Sequence, residues 1–296
     1  MLSLLCIDIA TMGLLELDEL QRMVPALRSR AGTKCAKAMM DMFGVTAANA
    51  LNDRHECDDA ARFCDEVLRE DLGIREMIGN AHVLRNLPDG PFITVSNHPY
   101  GSMDGMMLVD LFCHLRPDYK VMVNKFLCRV KSMDSAFIPV VPVTADTEGV
   151  SAESISGVRV AYRHVLEGHP IGFFPAGAVS NFEFGGMSIR DREWQEPVMR
   201  LIWKMHLPVV PVRFFDRNTA FFYFLGMINW KIRVLRLPHE LLNKKGKVAR
   251  VGIGEVITPE MQDACKDMDE YTAMLRSSVY DMPMPSVFVP RAELSI

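Results

Sequence analysis

The chain has 296 residues, 49% of them hydrophobic, a length that suits one large globular unit or two small ones and a core that needs no disulfides. Its seven cysteines are odd in number, scattered and without a CxxC pair, which speaks against a disulfide framework and for reduced thiols in a cytosolic compartment. The 33 basic side chains are outnumbered by 37 acidic ones and no aromatic-interleaved basic motif occurs, so no nucleic-acid partner is expected.

The first stretch, MLSLLCIDIATMGLLELDEL (1–20), is apolar but lacks a basic leader and soon turns acidic, so it does not read as a signal peptide. No window of about 18 uninterrupted apolar residues occurs, which speaks against a spanning helix. ELDELQRMVPALRSR (16–30) and DDAARFCDEVLREDLGI (58–74) repeat apolar residues near the helical period, and residues 1–80 are expected to be helical. That segment holds 14 acidic and 9 basic side chains, whereas the remainder holds 23 and 24. Asn80 to Pro91 is rich in turn formers and marks a boundary. Past it, FITVSN (92–97) reads as a short buried strand and MDGMMLVDLFCHL (103–115) as a helix. YKVMVNKF (119–126) and FIPVVPV (137–143) read as strands. SAESISGVRVAYRHVLEGH (151–169) reads as an amphipathic helix capped by Ser151, with Glu153 in its first turn. PIGFFPAG (170–177) is a strand ending in a turn, EWQEPVMRLIWKMH (193–206) a helix and LPVVPVRFF (207–215) a strand. RVGIGEVI (250–257) is a last strand, and residues 259–280 are helical. Strands alternate with helices at the spacing of an α/β sheet. The expected layout is a helical segment at 1–80, an α/β domain at 81–282 and a tail at 283–296.

ITVSNHPYGSMDGMML (93–108) places His98 at the carboxyl end of one predicted strand and Asp104 in the first turn of the next helix. Ligands of open α/β sheets sit beyond that end of the strands. A five-residue turn brings the two side chains within hydrogen-bond reach. The aspartate then fixes the imidazole tautomer, and the histidine takes a proton from a hydroxyl. Gly101 and Gly105 permit the tight path. A helix cap beside a structural histidine is the plain alternative. No serine or cysteine stands in a G-x-S-x-G elbow, so a hydrolase triad is not indicated. His98 and Asp104 lack a third ligand at regular spacing and His114 runs along a helix, so no metal site is expected.

Three further features bear on partners. From Lys231 to Arg250, seven basic residues stand against one acid, Glu240; such a stripe faces water or meets an anionic surface. TAFFYFLGMINW (219–230) is too short to span a bilayer but suits an interfacial anchor, with Tyr223 and Trp230 at the water boundary, or else a buried core segment. The 21 methionines fill a core or offer a lipid chain an adaptable surface.

NHPYGSMDG resembles the first motif of the glycerolipid acyltransferase superfamily, in which the His and Asp form the catalytic pair. That superfamily usually has four residues between them; the five here, Pro99 to Met103, are similar to the branch labelled hemolysin, which includes O-acyltransferases of ornithine- and other aminoacyl lipids. FFPAGAVS (173–180), LPVVPVRFFDRNTAFFYFLG (207–226) and HELLNKKGKVARVGIGEVI (239–257) resemble the third motif, the fourth motif and a C-terminal piece, in the expected order. NKFLCRVKSMDSAFIPV (124–140) falls where the second motif belongs.

The resemblance implies an α/β fold with a mixed sheet flanked by helices and an N-terminal helical segment. It implies His98 and Asp104 as catalytic residues. Asn97, Tyr100, Gly101, Lys125, Arg129, Pro175, Gly177, Ser180 and Arg213 are then candidates for binding substrate, with backbone N–H groups near Gly101 or Gly177 for the oxyanion. It implies an acyl thioester donor, on acyl carrier protein or coenzyme A, a lipid acceptor, no metal or other cofactor, and a cytoplasmic protein peripheral on the inner face of the cell membrane. The glycerol-phosphate enzymes carry a Glu and an Arg in the third motif where Ala176 and Val179 stand here, and the aminolipid branch a Glu where Ala178 stands. An arginine is the natural two-pronged phosphate clamp, so its loss points to an acceptor without phosphate unless Arg190, Arg213 or Arg217 replaces it. Three readings follow: an aminolipid O-acyltransferase, a lysophosphatidic acid acyltransferase, and a lipid-binding module with a decayed site.

Overall fold

The computed structural model describes residues 15–140 and 152–294. Cys6, the apolar residues Val141 to Val143, the Ser151 cap and the side chain of Glu153 lie outside the described residues. The described chain opens with three helices, α1 (Leu17–Met23), α2 (Arg30–Met42) and α3 (Val45–Arg54). They share a small core of their own, built on Leu20, Ala36, Met40 and Val45. Ser29 caps α2 by accepting the Gly32 N–H at 3.0 Å. A fourth helix, α4 (Ala60–Asp65), capped by Asp59, runs on through a wider turn at Glu66–Asp71.

The rest is a sheet clothed on both faces. In chain order come β1 (Arg75–Gly79), β2 (Ile93–Ser96), α5 (Ser102–Leu115), β3 (Lys120–Asn124), β4 (Phe137–Val140), α6 (Ala152–Leu166) and β5 (Ile171–Phe173). A small hairpin, β6 (Asn181–Glu183) and β7 (Ser188–Arg190), stands apart, followed by α7 (Glu196–Met205) and β8 (Val209–Phe214). Three short helices follow, α8 (Ala220–Ile228), α9 (Trp230–Leu235) and α10 (Leu237–Leu242). Last are β9 (Val248–Ile253), α11 (Pro259–Gln262), α12 (Met268–Tyr280) and β10 (Phe288–Pro290).

The eight strands of the main sheet lie in the order β10-β1-β9-β8-β2-β5-β3-β4. The block from β8 to β4 is parallel, whereas β9 runs antiparallel to β8 and β10 antiparallel to β1, so the sheet is mixed, as expected. The four residues of β2 are all buried, because helices cover both faces, so Thr94 and Ser96 lie inside along with Ile93 and Val95. One core holds side chains of α4, the wider turn after it and α5, such as Phe63, Leu68 and Phe112. The other holds α6, α7 and α12 side chains such as Ala161, Ile202 and Leu275. Each fully buried side chain of this kind contributes about 1.5–3 kcal/mol.

Several expected boundaries shift. The helical reading of residues 1–80 ends before β1, which pairs with β9 and β10. The sheet therefore extends past both expected limits, 81 and 282, since β10 lies in the expected tail. β3 stops at Asn124, and Lys125–Arg129 form a single tight helical turn. The helix expected from 193 starts at Glu196, next to Pro197, whose missing N–H suits a first turn. Residues 259–280 divide into α11 and α12, because Asp267 caps a new helix by accepting the Glu270 N–H at 2.8 Å.

Candidate active site

Motifs one, three and four follow the carboxyl ends of β2, β5 and β8, which are neighbours in the sheet. Asn97 closes the end of β2. Its side chain donates to the Phe214 carbonyl at 2.9 Å and accepts the Phe214 N–H at 2.8 Å, as a backbone pair would. Its amide is therefore committed to joining β2 to β8, and the substrate-binding role expected for it is replaced by this one. The chain then turns through His98, Pro99, Tyr100 and Gly101 into α5. Gly101 has φ +92°, and a Cβ there would lie 2.8 Å from Leu237, so only glycine makes this turn.

Asp104 is fully buried at the foot of α5. Its Oδ2 accepts the N–H groups of Tyr100 at 2.8 Å and Gly101 at 2.9 Å, so it also caps the turn, as the plain alternative has it. The same oxygen lies 2.9 Å from His98 Nδ1. This is ion-pair distance, but the ring N–H is not aligned for a full hydrogen bond, and both His98 Nδ1 and Asp104 Oδ1 are buried without one. Burial pushes the Asp104 carboxyl above its ordinary range, against the pull of His98 and the two N–H groups. His98 keeps 17% of its side chain exposed, which leaves the ring within reach of a substrate. Phe174, from the third motif, covers one face of that ring at a centroid distance of 4.2 Å.

The third motif is tied to the first from below. The Ser180 N–H donates to the His98 carbonyl at 2.9 Å. Asp191 accepts the Ser180 hydroxyl at 2.5 Å and the His98 N–H at 3.2 Å with the same oxygen. Its own N–H donates to Tyr280 Oη at 2.8 Å, and its Oδ2 is buried without a partner. Burial pushes the Asp191 carboxyl up, against Ser180 and His98. Ser180 is thus committed to holding the histidine and is not open to an acceptor. Pro175 is buried, its carbonyl accepting from Gln195. Gly177 is exposed, but its N–H donates to the Phe174 carbonyl at 2.9 Å. The Gly101 and Gly177 N–H groups expected at an oxyanion therefore already have acceptors.

The fourth motif supports the same turn from behind. Asn218 donates to the Tyr100 carbonyl at 3.0 Å and accepts from Lys244 at 3.0 Å. Tyr223 Oη donates to the Pro99 carbonyl at 3.0 Å, so Tyr223 is a buried prop and not the interfacial residue expected. Glu240, 1% exposed, accepts from Thr219, Arg236 and Lys244. Burial alone would raise its carboxyl; these donors outweigh it and hold the pKa below the usual range.

Other expected residues lie elsewhere. Lys125 and Arg129 follow β3, two strands from β2, and Arg129 pairs with Glu19 of α1 at 3.0 Å. Arg213 donates to the carbonyls of Tyr280 and Met282, and burial pulls its pKa down. His114 is structural as expected, its Nδ1 2.6 Å from the Asp110 carbonyl. The basic stripe is largely turned inward: Arg233 and Lys244 are buried, Arg236 pairs with Glu240 and Arg250 with Asp216, which leaves Lys245 and Lys247 exposed among its described side chains. Sequence reasoning missed Asp191, which stands in the exposed-looking run RDRE, and the inward placement of Arg233.

The family model described as Acyltransferase matches residues 76–284. A lyso-glycine lipid O-acyltransferase of Phocaeicola vulgatus is 28% identical over 207 residues, 67% of this chain and 71% of that protein. One of the same name from Bacteroides thetaiotaomicron is 27% identical over 207 residues, 67% of this chain and 73% of that protein. Among solved structures, the 1-acyl-sn-glycerophosphate acyltransferase PlsC of Thermotoga maritima superposes with a TM-score of 0.47 at 12% identity, over 75% of this chain and 78% of that one. The chain belongs to this acyltransferase family and is an acyltransferase.

Proposed function

We propose that the protein is an O-acyltransferase that moves a fatty acyl group from a thioester to the hydroxyl of a lyso-aminolipid of the glycine type. The observation that carries the chemistry is His98 Nδ1 at 2.9 Å from the buried Asp104, with the ring partly exposed beyond the sheet. His98 Nε2 takes the proton from the acceptor hydroxyl, and Asp104 stabilises the imidazolium. The oxygen attacks the thioester carbonyl, the C–S bond breaks, and the thiolate takes the proton back from His98. Ser102 and Met103 occupy the first two positions of α5, where helix N–H groups have no intrahelical partner, and their N–H groups are the proposed oxyanion donors. The donor is an acyl thioester of acyl carrier protein or coenzyme A.

The acceptor is supported by what replaces the charged third-motif side chains. Ala176 is buried and Val179 packs against the Gly101 turn, so this wall presents no cation of its own to a phosphate. The two curated relatives are named for a lyso-glycine lipid acceptor. The protein works at the inner face of the cell membrane. No helix among the described residues is long and apolar enough to cross a bilayer, but α8 and α9 expose Phe221, Phe224, Met227, Ile228, Trp230 and Ile232. These enter the interface and bring the acceptor to the site.

Side-by-side assays with one acyl thioester, offering lyso-glycine lipid and lysophosphatidic acid, test this reading. Transfer to the glycine lipid is expected to dominate and to disappear in His98→Ala. A clear preference for lysophosphatidic acid refutes the acceptor, and transfer by purified His98→Ala refutes the base.

A further inference from the structure

Arg233 is a buried cation without a counter-charge among the described residues. It enters from α9, is 5% exposed, and has no carboxylate within ion-pair distance among the described residues. Its guanidinium donates to the carbonyls of Ser180 at 3.0 Å and Val179 at 3.3 Å and to the side-chain oxygen of Asn181, all neutral oxygens. Nε is buried with no acceptor among the described residues. The guanidinium also lies 5.3 Å above the Phe222 ring. Burial pulls its pKa down, and Tyr223 is the one group that opposes this.

An uncompensated buried charge is costly, and an apolar side chain of similar volume fills such a space with less penalty. Yet the fold keeps room for this one. A Cβ on Gly226 of α8 would lie 2.7 Å from Arg233 Cδ, so the helix carries glycine where the side chain passes. The stretch that Arg233 grips, residues 179–181, is the one whose Ser180 N–H holds the His98 carbonyl. The charge therefore sits behind the reacting centre, one residue from its exposed rim.

The four groups around the guanidinium differ in one respect. The two carbonyls are fixed in the third-motif turn, and Phe222 is buried. Asn181 is exposed, at the start of β6, and its amide oxygen is the neutral ligand that an incoming anion can displace. An anionic oxygen on a guanidinium makes roughly twice as strong a hydrogen bond as a neutral one. With other N–H groups already bound to carbonyls, one exchangeable position suits a carboxylate better than a phosphate dianion, which needs several donors.

We propose that Arg233 is the counter-charge for the acceptor carboxylate, which displaces the Asn181 amide oxygen from the guanidinium. This rests on the reading of the acceptor as a glycine-type lyso-lipid, whose amide-linked chain leaves the carboxylate free. Arg233 thereby selects the acid form of the acceptor and positions its hydroxyl toward His98.

The test compares lyso-glycine lipid with its methyl ester, using the purified full-length protein and one acyl thioester donor. The wild type is expected to show a KM for the acid about tenfold below that for the ester. Arg233→Lys keeps a charge but loses the fork, and Asn181→Asp installs a resident carboxylate; each is expected to bring the two KM values within about threefold. Circular dichroism checks that the variants fold, and Asn181→Asp, on an exposed residue, decides the matter if Arg233→Lys does not. Equal KM values in the wild type, or a ratio unchanged in Asn181→Asp, overturn the inference while leaving the acceptor reading intact. An Arg233→Lys enzyme whose two KM values rise equally assigns Arg233 a structural role and overturns it too. Transfer to neither lipid overturns the acceptor reading and this inference together.

Discussion

Oδ2 of Asp104 faces three donors at once, the N–H groups of Tyr100 and Gly101 and the His98 ring. The two backbone contacts fix the turn, and the third is the one that the proposed proton transfer uses. An asparagine can keep the first two, because its Oδ1 accepts as the carboxylate does. It cannot supply the charge that steadies an imidazolium, and its amide N–H₂ competes for the wrong tautomer. Asp104→Asn should therefore fold normally and lower kcat by roughly two to four orders of magnitude. A variant with kcat within about threefold of wild type would remove Asp104 from the mechanism. Asp191 stands on the other side of the histidine and holds only its backbone N–H, so it positions His98 and does not touch the reacting atoms.

At the scale of elements, α8 shows how one helix divides its work. Phe222 and Tyr223 turn inward beneath the active-site turn, whereas Phe221, Phe224 and Ile228, three and four residues apart, share the outer face. Because the basic stripe is mostly folded inward, the proposed membrane attachment would rest on this apolar face more than on charge. Phe224→Glu combined with Ile228→Glu should abolish co-sedimentation with anionic vesicles at low salt, and high salt should release little of the wild type. Full release of the wild type by salt, or undiminished binding of the variant, would contradict this. The same helix shows what a sequence reveals. TAFFYFLGMINW displays its apolarity but not which side chains prop a turn, since that is set by Pro99, some 120 positions away. β2 and α5 were legible because a buried parallel strand and its helix each carry a local pattern, and His98 and Asp104 were legible as a pair because the turn between them is local. β1 and β10 were not: REMIG becomes a strand by pairing with β9 and β10, and FVP by pairing with β1, partners remote in sequence. Asp191 and Arg233 are charged residues in polar-looking runs whose burial is decided by tertiary contact alone.

The whole molecule is closed by a buried charge cluster that gathers distant parts of the chain. Asp110 of α5 is fully buried between Arg69 at 2.9 Å and Arg291 at 3.0 Å. Arg69 also pairs with Asp65, and Arg291 belongs to the short turn after β10. Glu76 of β1 lies among these groups, 3% exposed, with neither carboxyl oxygen hydrogen-bonded. Burial, reinforced by Asp110 and opposed by Arg69 and Arg291, raises its pKa to about 8. In the unfolded chain a glutamate titrates near its ordinary ~4.3. The folded state therefore holds a proton that the unfolded state has released between those values. Glu76's contribution is fully present below the ordinary glutamate pKa and is lost as the pH rises toward about 8, at a slope of up to ~1.4 kcal/mol per pH unit. Glu76→Gln, which cannot ionise, should nearly match the wild type in urea midpoint near pH 5 and exceed it increasingly up to pH 8, because only the wild type must take up a proton to fold. Taking the difference between the two proteins cancels every other titrating group. A difference that stays constant across that range would mean that Glu76 is ionised in the fold, with Arg69 and Arg291 prevailing over burial.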